Sequence, residues 1–151
     1  MNDSNLTDCV VVIDDCPELC ATLEYLVRDA GHAVYTAEDG RAGLREVRRR
    51  RPSVVLLDLV MPYMSGYEVL DAIRADPSLE GVTVIVLTGL AEDPEELREI
   101  ASRADVCLGK PVDTVRLLLE LDHAFASKNR GSGLLGRLQA RRAGCDRASG
   151  R

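Results

Sequence analysis

The sequence has no apolar run that approaches the roughly 20 residues needed to cross a bilayer, so we expect neither a membrane span nor a membrane partner. Its five cysteines lack zinc-ligand or Cys-x-x-Cys spacing, and they form an odd-numbered set with no signal peptide before it. These cysteines are Cys9, Cys16, Cys20, Cys107 and Cys145. We therefore expect reduced thiols and a cytoplasmic location.

Positive charge is scarce over most of the chain. From Ser127 onward the sequence holds seven of its nineteen Lys and Arg residues and one acid, Asp146, so this segment carries a net charge of +6. Residues 1–126 hold the other 12 basic residues and 24 acidic ones, which gives a net charge of −12. Because an acidic body repels phosphate backbones, we expect no direct DNA binding.

The length of 151 residues suits one domain and leaves no room for a second catalytic domain. Since the chain begins at a methionine, we expect a stand-alone protein. We predict an N-terminal extension over residues 1–7, a folded domain over 8–126 and a basic, disordered tail over 127–151. The tail has five glycines and no β-branched or aromatic residue, so it cannot bury enough surface to offset the entropy of ordering.

Apolar runs typical of buried strands alternate with segments of helical periodicity along the domain. The predicted strands are 9–13, 32–37, 54–57, 82–87 and 105–108, and the predicted helices are 17–30, 39–50, 67–75, 93–104 and 112–126. Strand-then-helix repeats favour a parallel sheet with helices on both faces. The fold class is therefore α/β, with a doubly wound five-stranded parallel sheet.

Polar residues follow four of the five predicted strands. They are Asp14 and Asp15, Asp58, Thr88, and Lys110. Taken singly, each has an ordinary explanation as a helix cap, a turn residue or a solvated loop cation. Because the carboxyl ends of parallel strands meet at one edge of the sheet, we expect these side chains to lie together. Their joint presence indicates a functional site.

At these residues the sequence resembles the phosphoacceptor receiver domain of bacterial two-component response regulators, over about residues 8–126. The matching segments are Asp14-Asp15, Asp58 with Met61-Pro62-Tyr63-Met64-Ser65-Gly66, Thr88-Gly89, and Lys110-Pro111. The resemblance implies a flavodoxin-like fold. It also implies transfer of a phosphoryl group from a sensor histidine kinase or histidine phosphotransfer protein to Asp58, with signalling by contact with a downstream protein target. Such a protein is a signalling phosphoacceptor that assists its own phosphorylation and dephosphorylation, and we do not class it as an enzyme.

The resemblance also assigns roles to residues. The implied metal ligands are Asp14, Asp15, Asp58 and the backbone carbonyl of Val60, and the implied transfer residues are Asp58, Thr88 and Lys110. Asp14 is expected to act mostly through water. The residue types agree with this chemistry, because a carboxylate attacks phosphorus without prior deprotonation and hard oxygen ligands select Mg²⁺. Mn²⁺ is expected to substitute for Mg²⁺.

Three positions depart from the family pattern. Cys107 stands three residues before Lys110, where many receivers carry Tyr or Phe. Val60 and Leu90 are both apolar at positions that influence water access, which predicts slow hydrolysis of the phosphorylated form. The resemblance also predicts a cis peptide bond between Lys110 and Pro111.

The last predicted helix carries more apolar residues than one buried stripe needs. They are Val112, Val115, Leu117, Leu118, Leu119, Leu121 and Phe125. A fully buried helix would explain them, but the edge helices of this fold have a solvent face. We therefore favour a contact with a partner or a homodimer through this helix.

Two other classes of function remain to be weighed. A receiver-like scaffold that works without phosphorylation is opposed by the complete acidic set. A haloacid-dehalogenase-type phosphatase needs Asp-x-Asp after its first strand, where this chain has Asp14-Asp15-Cys16, and a nucleotide binder needs a glycine-rich turn, whereas residues 14–20 contain no glycine. The sequence names neither the cognate kinase nor the output.

Overall fold

The computed structural model of the chain describes residues 6–89 and 93–131. The strands are β1 (Thr7–Ile13), β2 (Ala33–Ala37), β3 (Pro52–Asp58), β4 (Thr83–Thr88) and β5 (Val106–Gly109). The helices are α1 (Pro17–Asp29), α2 (Gly40–Arg50), α3 (Gly66–Ala75), α4 (Pro94–Ala101) and α5 (Thr114–Gly131), with a short 3₁₀ turn at Pro77–Leu79. Every predicted strand and helix is present.

The five strands form one parallel sheet in the order β2-β1-β3-β4-β5. The central strand β3 is buried along its whole length, and its residues Leu57 and Asp58 lie opposite Ile13 and Leu87 respectively. Two apolar layers cover the sheet, one beneath α2, α3 and α4 and the other beneath α1 and α5. The predicted doubly wound, flavodoxin-like sheet is confirmed.

Most predicted boundaries differ from the observed ones by one to five residues, and two of these differences have a clear physical reason. Strand β3 begins at Pro52 instead of Val54, because the first residue of a strand does not need an N–H group for the ladder. Helix α5 runs to Gly131, so the first five residues of the predicted tail are helical. A helix that is already packed on the core continues without strong local propensity, since its nucleation cost is offset. The rest of the tail, residues 132–151, and residues 1–5 lie outside the described residues.

Helix α2 ends in the run of four arginines, Arg48 to Arg51. Arg48 pairs with Asp76 at 3.4 Å, and Arg50 pairs with Glu46 at 2.6 Å. The Arg50 guanidinium also lies 3.4 Å from the ring centre of Tyr35. These contacts lie at the negative end of the helix dipole, where cations stabilise the helix. Local stabilisation of α2 therefore explains much of the arginine run.

No helix within residues 6–89 and 93–131 is both long and apolar enough to cross a bilayer. Cys9, Cys16, Cys20 and Cys107 are free thiols, and Cys145 lies outside the described residues. Burial, followed by the nearby charge of Asp14, raises the pKa of Cys20 from 9.0 to about 11. The Cys20 thiol donates to the backbone carbonyl of Asp14 at 3.1 Å.

The raised pKa of Cys20 predicts a loss of stability at alkaline pH. A group whose pKa is higher in the folded than in the unfolded chain stabilises the fold fully below its unfolded pKa, and this contribution is lost as pH rises through the folded pKa. The window therefore runs from pH 9 to about pH 11. We expect the unfolding free energy of the wild type to fall by roughly 2 kcal/mol more than that of Cys20→Ala across this window, as measured by urea denaturation. Cys16→Ser, which changes an exposed thiol, should follow the wild type; parallel curves for the wild type and Cys20→Ala would contradict the assignment.

Candidate functional site

Three carboxylates meet at the carboxyl edge of the sheet. Asp14 and Asp15 directly follow β1, and Asp58 is the last residue of the adjacent strand β3. One oxygen from each carboxylate lies within 4.8 Å of the other two. Asp14 is 1% and Asp58 is 4% exposed, whereas Asp15 faces solvent. Adjacent parallel strands therefore bring together the three acids that the sequence singled out.

Lys110 reaches into this acidic cluster from the end of β5. Its Nζ atom lies 3.0 Å from Asp14 Oδ2 and 3.1 Å from Asp58 Oδ1. The backbone N–H of Lys110 donates to the carbonyl of Thr88 at 2.9 Å, which ties the two strand ends together. The Lys110–Pro111 peptide bond is cis, as predicted. Lys110 is therefore a bridging cation and not a solvated loop residue.

The environment shifts the pKa of both partners in the Asp58–Lys110 pair. Burial, and next the negative charge of Asp14, raise the pKa of Asp58 above 3.8, and the contacts with Lys110 offset only part of this effect. Burial acts to lower the pKa of Lys110, but its hydrogen bonds and charge interactions with Asp14 and Asp58 outweigh burial and raise it above 10.5. The pocket thus holds more negative charge than one lysine neutralises.

The other predicted site residues lie at the same edge. Thr88 ends β4, is fully buried and pairs in register with Gly109. Val60 lies two residues after Asp58, and its backbone N–H is 3.4 Å from Asp58 Oδ1. The Val60 side chain is 64% exposed. Leu90 lies outside the described residues, so the expected slow hydrolysis stays a prediction.

Two functional contacts were not anticipated from the sequence. The backbone N–H of Cys16 donates to Asp14 Oδ1 at 2.9 Å, which leaves Asp14 held from both sides. The N–H of Gly66 donates to the carbonyl of Leu59 at 2.9 Å, and this contact closes the loop after β3. Gly66 belongs to the segment after Asp58 that carries the resemblance, but the sequence did not predict this hydrogen bond. Its close approach to the strand could have been suspected from a glycine that directly follows the helix cap Ser65.

Helix capping does not explain Asp14 and Asp58. Cys16 is the N-cap of α1 and makes no side-chain capping bond, and Ser65 caps α3 by accepting from the N–H of Glu68. Neither Asp14 nor Asp58 therefore serves as a helix cap. These two buried carboxylates instead face each other and Lys110.

Cys107 occupies the place of the missing aromatic on the α3 and α4 side of the sheet. Its thiol is partly buried, and it packs against the same apolar layer as Tyr67. The Tyr67 hydroxyl is buried without a hydrogen-bond partner among the residues that the structure describes. An aromatic ring is thus supplied to this layer from α3 and not from β5.

The donor set fits a small divalent cation. Three carboxylates and one ammonium leave two negative charges in a partly buried pocket, which is unfavourable unless a cation compensates it. All three side chains offer hard oxygen ligands, which suit Mg²⁺ and Mn²⁺ better than softer metals. Asp15 and Asp58 have the more available oxygens, because both oxygens of Asp14 already accept hydrogen bonds.

Comparisons with known proteins point to one family. The family model described as "Response regulator receiver domain" matches residues 10–122. Protein PilH of Pseudomonas aeruginosa is 29% identical over 117 residues, which are 78% of this chain and 97% of PilH. The DNA-binding response regulator MtrA of Mycolicibacterium smegmatis is 35% identical over 68% of this chain, and the match spans 43% of MtrA.

Solved structures agree with these relatives. The chemotaxis protein CheY4 of Vibrio cholerae superimposes with a TM-score of 0.72 at 29% identity, and the match covers 78% of this chain and 98% of CheY4. The chain therefore belongs to the response regulator receiver domain family, as its strand-end residues indicated.

Proposed function

We propose that the protein accepts a phosphoryl group on Asp58 in a Mg²⁺-dependent reaction and passes the signal on by protein contact. The observation that supports this best is the Asp58 carboxylate itself, which is 4% exposed, lies at a strand end and is 3.1 Å from the Lys110 ammonium. The donors are a sensor histidine kinase or a histidine phosphotransfer protein, as in the family. A buried nucleophile that is held by a cation is prearranged for transfer.

The transfer step is a displacement at phosphorus. An oxygen of Asp58 forms the new O–P bond, the N–P bond of the phosphohistidine breaks, and the imidazole nitrogen keeps the electron pair. Lys110 holds the Asp58 carboxylate and meets the charge of the incoming oxygens, while the Thr88 hydroxyl donates a hydrogen bond to one of them. Mg²⁺ bound by Asp15, Asp58 and the Val60 carbonyl would supply the remaining positive charge.

The test uses acetyl phosphate as the phosphoryl donor and intact mass as the readout. We expect the full-length chain to gain the mass of one phosphoryl group in the presence of Mg²⁺ or Mn²⁺, and the adduct to be labile in base as an acyl phosphate. Chelation with EDTA should remove the gain. A chain that stays unmodified at saturating donor and Mg²⁺, while still folded by circular dichroism, would contradict the proposal.

Helix α5 carries two exposed apolar residues that would suit an output contact. Of its apolar residues, Leu117, Leu121 and Phe125 are buried in the core, whereas Val115 is 68% and Leu119 is 55% exposed. These two exposed residues are one helical turn apart and lie on the same side of α5. We propose that they contact a downstream protein or a second copy of the chain.

This proposal predicts the effect of charge on the α5 face. For the contact between two copies of the chain, Val115→Glu with Leu119→Glu should weaken phosphorylation-dependent self-association at least about tenfold, because two exposed apolar contacts are replaced by like charges. Sedimentation velocity with and without acetyl phosphate measures the change. Tyr25→Glu, at an exposed residue on α1, is the matched control. A wild type that is monomeric in both states and binds no downstream protein through α5 would overturn the proposal.

A further inference from the structure

We propose that the solvent face of α2, together with Tyr63, is a docking surface for an acidic protein segment. The surface consists of Arg41, Arg45 and Arg49 on α2 and Tyr63 in the loop after β3. Its residues lie on α2 and in the loop after β3, whereas the exposed apolar pair lies on α5 and the phosphoacceptor carboxylate ends β3. Its occupancy does not depend on phosphoryl transfer.

The three arginines form one stripe. Arg41, Arg45 and Arg49 are spaced four residues apart, so they lie on one side of α2, and all three are exposed. Within the part of the chain that the structure describes, no carboxylate forms an ion pair with any of them. Arg48 and Arg50, by contrast, are paired with Asp76 and Glu46. The stripe therefore presents free positive charge.

Helix stability explains Arg49, which lies in the last turn of α2 at the negative end of the helix dipole, but it does not explain Arg41 and Arg45. Arg41 lies in the first turn of α2, at the positive end of the helix dipole, where a cation is unfavourable and where this helix has no acid. Like charges four residues apart on a helix also repel each other. The dipole argument that accounts for Arg48 and Arg50 therefore fails for Arg41 and Arg45.

Tyr63 adds an aromatic group beside the stripe. Its side chain is 99% exposed, so it contributes no burial to the fold. Its backbone has a φ of 70°, a left-handed conformation that bulky residues rarely adopt. Tyr63 and Arg41 line the same cleft of about 280 Å³, together with Asp39, Gly40, Met64 and Glu68. An exposed aromatic residue on strained backbone next to arginines has the composition of a binding hot spot.

Charge complementarity identifies the occupant. Six of the twelve basic residues within positions 1–126 lie between Arg41 and Arg51, on a body whose net charge is −12. A long polyanion such as DNA, or an anionic membrane, would also meet the surrounding negative charge and be repelled. A short acidic helix is small enough to cover the stripe while meeting few of these acids, of which Asp39 and Glu68 line the cleft at its end. Glutamates spaced four residues apart would face the three arginines, and an apolar side chain at its end would enter the cleft beside Tyr63.

The test uses two synthetic helical peptides of identical composition and the full-length ¹⁵N-labelled protein. In one peptide, glutamates at every fourth position share a face with a terminal leucine; in the other, the same residues are scrambled. We expect the patterned peptide to shift the amide resonances of residues 40–50 and 63–65 and to bind at least tenfold more tightly than the scrambled one. Binding should persist in Asp58→Asn, which separates this inference from the proposed phosphoryl transfer.

Two variants test whether the arginine stripe and Tyr63 bind the patterned peptide. Arg41→Glu with Arg45→Glu should weaken binding of the patterned peptide at least tenfold, whereas Arg98→Glu, at an exposed arginine on α4, should leave it unchanged. Tyr63→Gly should weaken binding and yet raise the melting temperature, because glycine relieves the left-handed strain. Equal binding of both peptides, shifts confined to residues outside this surface, or tighter binding of duplex DNA or anionic vesicles to the stripe would overturn it.

Discussion

Asp58→Asn should abolish Mg²⁺-dependent phosphoryl acceptance from acetyl phosphate, to below about one thousandth of the wild-type level. The amide nitrogen and oxygen of asparagine cannot form the acyl phosphate, and the neighbouring acids do not replace the nucleophile. Asp14 is already held by Cys16 and Lys110, and Asp15 lies exposed beside the pocket. Intact mass after timed incubation measures the loss.

The same variant should stabilise the fold near pH 7. Burial and the charge of Asp14 raise the pKa of Asp58 in the folded protein. The stabilising contribution of Asp58 is therefore fully present below its unfolded pKa of 3.8 and is lost as pH rises through its folded pKa. At neutral pH the ionised Asp58 therefore opposes folding. We expect the unfolding free energy of Asp58→Asn to rise by about 1 kcal/mol, and the gain to shrink when millimolar Mg²⁺ compensates the wild-type charge.

A surface variant provides the control for both effects. Asp122→Asn changes an exposed acid on α5 and should leave phosphoryl acceptance and stability as in the wild type. Persistent labelling of Asp58→Asn at full stoichiometry would refute the nucleophile assignment. A loss of stability in that variant would instead show that the Asp58–Lys110 ion pair outweighs the crowding of the acids.

Gly66→Ala should cost about 3 kcal/mol of unfolding free energy. A β-carbon at position 66 would lie 2.8 Å from the carbonyl carbon of Asp58 and 2.6 Å from Cα of Leu59, and it would collide with the Asp58 carbonyl oxygen. These are backbone atoms of the central strand, which cannot rotate away as a side chain can. The strand end that carries Asp58 must therefore move.

Urea denaturation followed by circular dichroism measures this cost. Gly89→Ala is the matched control, because no described atom lies within 4 Å of its added β-carbon. Phosphoryl acceptance should also fall in Gly66→Ala, since the clash displaces the residue that carries the nucleophile. An unfolding free energy within about 0.5 kcal/mol of the wild type would mean that the loop relaxes without disturbing β3.

The sequence by itself determined the order of the strands and helices along the chain. It also determined which residues follow each strand. Periodicity is a local property, and the carboxyl ends of parallel strands must share an edge, so the approach of Asp14, Asp15, Asp58, Thr88 and Lys110 could be predicted. The family was then indicated by the adjacent acids Asp14-Asp15, the segment after Asp58 and the Lys110-Pro111 dipeptide. All of these depend on short stretches of chain.

Only the tertiary structure decided how the site is held. The bridge from Lys110 to both Asp14 and Asp58 joins residues far apart in the chain, and its length depends on how β1, β3 and β5 pack. Packing likewise extended α5 to Gly131 and left Val115 and Leu119 uncovered. It also separated the arginines of α2 into paired residues and a free stripe, because an ion pair requires an acid from another turn or element to lie within reach.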